Sequence, residues 1–310
     1  MCDDANMTTR IRLDIAYDGA RFHGWAAQPG LCTVQGALEA ALATVLREPV
    51  TLTVAGRTDA GVHACGQVAH CDISTAAWES VPGRSDRTPA AVLVGRVNAV
   101  LARELNNGEQ QPRGYTPVVV RQVQEVPDTF DARFSALWRA YTYRIAAGVA
   151  AWDPLQSNAL WLPEKLDIAA MNRAAQPLLG EHDFLSFCKP REGASTVRTL
   201  LQCEFVPVAD SAAAEAVSAD QQESTAQLIE GRVRADAFCH SQVRTLMGTL
   251  IEVGRGARSE DWPRQRLLER SRDGQVIVAP PHPLTLAAVG YPADPADYAS
   301  QAAAARRFRG

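Results

Sequence analysis

The stretch Ala55-Gly56-Arg57-Thr58-Asp59-Ala60-Gly61-Val62-His63-Ala64 places an arginine and a carboxylate between two glycines, and extended runs lie on both sides of it. Upstream, Thr51 to Val54 alternates with Leu52 and Val54 on one side; downstream, Gln67 to Ile73 is extended and partly apolar. A chain that reverses between two strands here has Gly56 and Gly61 to supply backbone freedom. The plain outcome of such a pattern is a tight turn with an Arg-Asp pair on its rim. Val62-His63 stand where a phosphate-binding loop would carry Lys and then Ser or Thr, which disfavours nucleoside triphosphate binding. The stretch is therefore read as an active-site loop between two strands, with the Arg57-Asp59 pair on its rim.

Around this loop the chain has 310 residues, 46% of them apolar, enough for one large or two modest domains with a sizeable core. No run of about 18 apolar residues could span a bilayer, and Met1 to Met7 carry no apolar signal region, so a cytoplasmic location without membrane contact is expected. The seven cysteines are odd in number and never form Cys-x-x-Cys; they read as thiols in a reducing compartment, with neither disulfides nor a zinc site. The net charge of -4 says little about a local groove, and only Lys165 and Lys189 among the basic residues are lysine. That bias, beside abundant alanine, reads as genome composition and is weak support for an RNA partner.

Arg10 to Tyr17 alternates Ile11, Leu13, Ile15 and Tyr17 on one face, a half-buried strand closed by Asp18-Gly19. Thr33 caps a helix with a Val34, Leu38, Ala41, Leu42, Val45 stripe, and a second helix spans Ala90 to Leu105. Glu79 to Pro89 reads as a surface loop, and Val118 to Val123 as a strand. In the strand at Arg139 to Ile145, period two puts Arg139, Tyr141, Tyr143 and Ile145 on one face. A helix starts at Asp167 and closes near Gly180; another follows Phe238 and buries Val243, Leu246, Met247, Leu250 and Ile251, with Arg244 at the edge of that stripe. His182-Asp183 read as part of a structural loop, since neighbours in sequence rarely face each other. Pro207 to Ala226 turns to Ala, Ser, Asp, Glu and Gln, a mobile insertion near 208–226 inside a long hairpin. The tail ending Arg306-Arg307-Phe308-Arg309 reads as a frayed helix.

Several segments carry one resemblance. Gly56 to Ala64, Tyr17-Asp18-Gly19-Ala20-Arg21-Phe22-His23-Gly24-Trp25, Phe130 to Ala136 with Arg139 to Ile145, Gly180 to Cys188, Phe238 to Gly248 and His282 to Tyr291 are similar to the signatures of the tRNA pseudouridine synthase A family. Where that family usually has Gln after the Trp of its opening signature, this chain has Ala26. The resemblance implies an α+β fold of two similar halves, 8–127 and 128–310, whose antiparallel sheets are flanked by helices and meet at an active-site cleft. It implies isomerisation of uridine to pseudouridine at positions 38, 39 and 40 of the tRNA anticodon stem-loop, by a homodimer, without metal or cofactor.

By the same resemblance Asp59 is the essential carboxylate, Arg244 its partner, and Tyr141 the ring that packs on the flipped uracil. Arg57, His63, Arg133 and Arg139 are implied as further substrate contacts. An aspartate serves this chemistry either as nucleophile or as base, and both stay open. Two readings from other classes stand beside it: an RNA-binding chaperone without catalysis, and a metal-dependent hydrolase built on Asp59, His63 and His70. The intact Asp59, Tyr141 and Arg244 set argues against the first, and only that trio suggests the second.

The insertion has no apolar face to bury. Deleting Asp210 to Glu223 and closing the hairpin with a short turn is expected to leave the melting temperature within about 3 °C of the parent. A larger drop in a thermal melt would show that the segment packs.

Overall fold

The computed structural model describes residues 7–106, 112, 114–191, 193–208, 226–272 and 276–309. Most of the insertion expected near 208–226 thus lies outside the described residues. The chain divides into two compact units, Met1–Leu137 with Leu286–Phe308, and Trp138–Thr285 with Arg309–Gly310. The boundary expected at 127/128 falls ten residues later, and 286–308 pack with the first unit instead of the second.

In chain order the first unit contributes β1 (Thr8–Tyr17), α1 (Val34–Leu46), β2 (Thr53–Val54), β3 (His63–Ser74), α2 (Thr75–Ser80), α3 (Pro89–Leu105) and β4 (Val118–Glu125). The second contributes β5 (Trp138–Ala147), β6 (Leu160–Leu162), α4 (Ile168–Ala175), β7 (Gly180–Asp183), β8 (Val197–Pro207), β9 (Gln227–Ala235), α5 (Gln242–Gly254) and α6 (Trp262–Glu269). Then follow β10 (Leu284–Gly290) and α7 (Tyr298–Arg309).

In the first unit β1 pairs antiparallel with β3 on one side and β4 on the other. Its alternation is realised as expected, with Ile11, Leu13, Ile15 and Tyr17 all buried. The β1–β3 register shifts between Ile15, opposite Gln67, and Tyr17, opposite Ala64. The bulge puts Ala64 opposite Tyr17 where strict register would put Cys65, and Gln67 Nε2 reaches Tyr17 Oη at 3.2 Å at the end of the ladder. Thr33 caps α1 through Gly36 N (3.3 Å), and Leu46, not Val45, completes the buried stripe. Thr88 caps α3 in the same way, with Pro89 in its first turn. Asn98 then fastens α3 to β4, donating to Val120 O and accepting from Val120 N, both at 2.8 Å. Burial outweighs capping here: Leu93 is fully buried, and truncating such a leucine costs about 2–5 kcal/mol against about 1 for a lost cap.

Phe130 centres a cluster with Ala55, Val68, Ala132 and Tyr298, and its ring lies 5.0 Å from Tyr291 and 5.1 Å from Tyr298. This cluster is why the C-terminal residues join the first unit. It also corrects the frayed tail: Tyr298, Ala302 and Ala305 are buried, and Arg306 bonds Asp131 at 2.8 Å.

In the second unit β5 pairs with β9, β9 with β8 and β8 with β7, all antiparallel, while β6 joins β5 in parallel, a departure from the all-antiparallel expectation. Helix α5 packs on α4 and α6, with Leu246, Met247 and Leu250 fully buried. Three features lay beyond the sequence reading. Helices α2 and α6 are too short for periodicity to stand out. Gly180 to Asp183 form a strand where a loop was expected. Against the expectation of free thiols throughout, Cys188 and Cys239 are joined as a disulfide with Cα atoms 5.6 Å apart; 51 residues separate them and no spacing rule announces the pair.

His70 gives the first unit an acid-sensitive point. Its Nδ1 accepts from Ala132 N at 3.0 Å, so the neutral ring is the one the fold needs. Burial, helped by nearby Arg10, pushes its pKa below the ordinary histidine value of 6.5. A depressed folded-state pKa contributes stability that is present above about pH 6.5 and lost as pH falls below it. Urea unfolding between pH 7 and 5 is therefore expected to show a stability slope that His70→Asn, whose amide oxygen can accept from Ala132 N without titrating, flattens. Identical slopes in the two proteins would remove this role.

Candidate functional site

Strands β2 and β3 are antiparallel, Thr53 opposite His70 and Val54 opposite Ala69, and Ala55 N closes the ladder on Val68 O at 2.9 Å. The loop between them is held by the segment that follows β1. Trp25 N donates to Thr58 O (3.1 Å), Gly61 N to Phe22 O (3.4 Å), and Val62 N to Asp59 O (3.2 Å). This approach leaves no room for side chains: a Cβ on Gly19 would sit 2.0 Å from Val62 O, and one on Gly24 2.9 Å from Thr58 O. Gly61, at φ 77, needs the left-handed freedom expected of it. Gly56 does not. Its φ is not positive, an added Cβ would meet nothing within 4 Å, and open space lies over the backbone at that point.

Along the loop burial alternates: Arg57 is exposed, Thr58 is 8% exposed, and Asp59 is half-buried. Thr58 faces inward onto a polar chain. Tyr17 Oη lies 2.8 Å from Thr58 Oγ1, and Gln67 Nε2 donates both to Tyr17 Oη (3.2 Å) and to Gly56 O (2.8 Å). Burial pushes the Tyr17 phenol up to about 12 against the pull of these hydrogen bonds, so it stays protonated at neutral pH. The Tyr17 ring lies 6.0 Å from that of fully buried Trp25. None of Tyr17, Thr58 and Gln67 was singled out as functional from sequence. The available signal was a glutamine at an inward strand position beside a tyrosine that ends an apolar alternation.

His63 Nδ1 lies 3.0 Å from Asp18 Oδ1 and 3.1 Å from Gly19 N. One nitrogen cannot donate to the first and accept from the second at once, so the tautomer selects which bond forms. The hydrogen bond from His63 is the main reason that the Asp18 carboxyl sits below the ordinary carboxylate range. Arg133 is exposed on the turn after Phe130, and its guanidinium lies 4.8 Å from the Phe134 ring, as does that of Arg306. Asp131 shapes that turn by accepting from Arg133 N at 2.8 Å and Phe134 N at 3.0 Å.

Arg57, Asp59, His63 and Arg133 thus belong to the first unit; Arg139, Tyr141 and Arg244 belong to the second. On β5 the expected face is realised, with Arg139, Tyr141, Tyr143 and Ile145 all buried. Arg139 is 4% exposed and donates to Asp236 O at 2.9 Å. The Tyr141 ring meets Phe238 edge-on at 5.3 Å. Tyr143 is fully buried, donates to Pro280 O at 3.1 Å, and has its pKa raised by that burial. Arg244, in the first turn of α5, is half-buried; its Nε donates to Ala279 O at 2.8 Å while Ala279 N donates to its carbonyl at 3.0 Å. Just before it Ser241 holds φ 64, uncommon for a residue other than glycine, and starts the helix by accepting from Thr245 N at 2.9 Å.

The remaining candidates are structural. His182 Nε2 lies 2.8 Å from Leu179 O, and Asp183 accepts from Leu185 N and from Thr196 Oγ1 (2.6 Å), so these neighbours serve separate turns. Among the described residues no three His, Cys, Asp or Glu side chains are grouped so that they could hold a metal ion, and His70 Nδ1 is already taken by Ala132 N.

The profile of a family described as tRNA pseudouridine synthase matches residues 174–292. A curated protein from Leifsonia xyli subsp. xyli, named tRNA pseudouridine synthase A, is 47% identical over 93% of this chain and 94% of its own length. Proteins of the same name from Cutibacterium acnes and Streptomyces avermitilis are 45% and 44% identical over 97% and 92% of this chain, and over 95% and 89% of their own lengths. Likeness of that extent runs through both units and across the loop that carries Asp59, and the chain belongs to the tRNA pseudouridine synthase A family.

Proposed function

We propose that this protein converts uridine to pseudouridine at positions 38, 39 and 40 of the anticodon stem-loop of tRNA, acting in the cytoplasm as a homodimer. The observation that carries the reading is the half-buried Asp59 on a loop pinned by its neighbours, in a chain whose relatives share its full length and a common name. No helix among the described residues is long and apolar enough to cross a membrane.

In the proposed reaction the bond from C1′ to N1 breaks, the base turns, and C5 bonds to C1′. The proton lost from C5 matches the one gained at N1, so the balance calls for no oxidant, reductant or cofactor. Asp59 acts either as nucleophile at the sugar or as base on its 2′ proton; both roles need the ionised carboxylate in reach of a flipped-out nucleotide. The open space over Gly56 suits the approach of such a nucleotide beside exposed Arg57, which would help to extrude it. Tyr141 supplies an aromatic face to replace the stacking that the base gives up. Arg244 would hold Asp59 ionised and aimed through a planar fork. Arg133, exposed, suits a phosphate contact. Arg139 and His63, tied to Asp236 O and Asp18, would shape the site from behind.

Asp59→Asn is expected to lower pseudouridine formation by at least about a thousandfold, measured as tritium release from 5-tritiated uridine in tRNA. Affinity for tRNA should stay within about threefold, because phosphate contacts dominate binding. Residual turnover near the parent's would sink the assignment. Mapping the products on unmodified tRNAs with uridine at only one of positions 38, 39 and 40 tests the site choice.

Arg244→Lys separates a paired guanidinium from one that merely extends along its helix. Lysine keeps the charge but loses the paired hydrogen bonds, so turnover should fall by about a hundredfold with the fold retained. A rate near the parent's on an isolated anticodon stem-loop would end the proposed pair.

A further inference from the structure

The loop that carries Asp59 is tied down from below at two places, and both ties converge on one buried group. Gln67, fully buried on β3, spends one amide hydrogen on Gly56 O and the other on Tyr17 Oη. Tyr17 Oη lies 2.8 Å from the hydroxyl of Thr58, the residue before Asp59, whose carbonyl is held in turn by Trp25 N. The direction of this chain of bonds can be worked out. Gln67 donates to the phenol oxygen, so a second donation from Thr58 would leave the buried phenol proton without an acceptor, at a cost of about 1–3 kcal/mol. The satisfied arrangement is Gln67 to Tyr17 to Thr58, each donating to the next, with the Thr58 proton free to point onward along the loop. Burial keeps that phenol protonated throughout the neutral range.

We propose that Tyr17 and Gln67 are positioning residues for the isomerisation: acting through the Thr58 hydroxyl and the Gly56 carbonyl, they set the height and aim of the Asp59 carboxylate. This rests on the assignment of Asp59 as the catalytic carboxylate. Tyr17 ends β1 and Gln67 sits in β3, so the loop takes its geometry from two strands of its unit as well as from its own turn at Asp59 to Val62. On either side of buried Thr58, Arg57 is exposed and Asp59 half-buried. A change in the depth of Thr58 must therefore swing both. A misplacement of about 1 Å in a reacting group costs on the order of a hundredfold in rate.

The test is a cycle of substitutions in the full-length protein, read on unmodified tRNA. Tyr17→Phe removes one oxygen and leaves the ring against Trp25. It is expected to lower kcat by roughly 10- to 100-fold with KM within about threefold, and to shift the melting temperature by no more than about 4 °C. Thr58→Val, which keeps the shape of the side chain and loses the hydroxyl, should match it. Thr58→Ser should recover kcat to within about threefold of the parent. The double variant Tyr17→Phe with Thr58→Val should be no slower than the worse single, because both break the same link. The proposal is overturned if either single variant turns over at the parent's rate, if the loss lies in KM alone, or if the two losses multiply. Asp59→Asn measured alongside keeps the two readings apart: an active Asp59→Asn removes the carboxylate assignment, whereas an inactive one beside an unimpaired Tyr17→Phe removes only the positioning role.

Discussion

The pairing of β1 with β3 is the constraint on which the first unit depends. Its ladder fixes the sheet and places Tyr17 and Gln67 where their side chains meet under the loop. The loop thereby gains buried anchors at Gly56 and Thr58. A flexible, glycine-bearing connection is thereby given the precision of a strand. That matters for the proposed role of Asp59, in which a carboxylate must meet a flipped-out nucleotide.

Much of this was legible from residues alone. The alternation of Ile11, Leu13, Ile15 and Tyr17, the Thr33 and Asp167 caps, and the α5 stripe each obey a local rule, and the structure places them accordingly. What escaped was whatever depends on distant partners. Strand β3 starts at His63 because Ala64 pairs with Tyr17, yet His63-Ala64-Cys65-Gly66 has no period to announce it. Helix α2 is a single capped turn and a half, with Ser74 accepting from Ala77 N. The disulfide between Cys188 and Cys239 and the Phe130 cluster join residues far apart in sequence. At the proposed site, Arg57 and Asp59 stood out by type, whereas Tyr17 and Gln67, which bond the loop from below, looked like ordinary strand residues.

Electrostatics in this chain act locally. A net charge of -4 coexists with arginines whose charge is spent in several ways. Arg10 forks onto Asp72 at 2.6 and 2.7 Å and also reaches Phe130 O, tying β1 to the Phe130 turn. Arg12 lies 5.0 Å from the Tyr291 ring, and Arg133 and Arg306 lie at equal distances from the Phe134 ring. These pairings place basic side chains on defined supports, so that the ones left facing solvent, such as Arg57, present charge at fixed points instead of as a diffuse field.

The return of residues 286–308 to the first unit has a bearing on how the protein is made. Beside β3 lies β10, and Tyr298 closes on Phe130, so the first unit lacks a strand and part of its core until residues 286–298 have been made. The second unit draws its strands and helices from one uninterrupted stretch and can assemble on the ribosome. The half that carries Asp59 matures last. A chain without residues 286–308 would keep the Asp59 loop and its ties to Tyr17 and Gln67 but lack part of the core on which the unit rests.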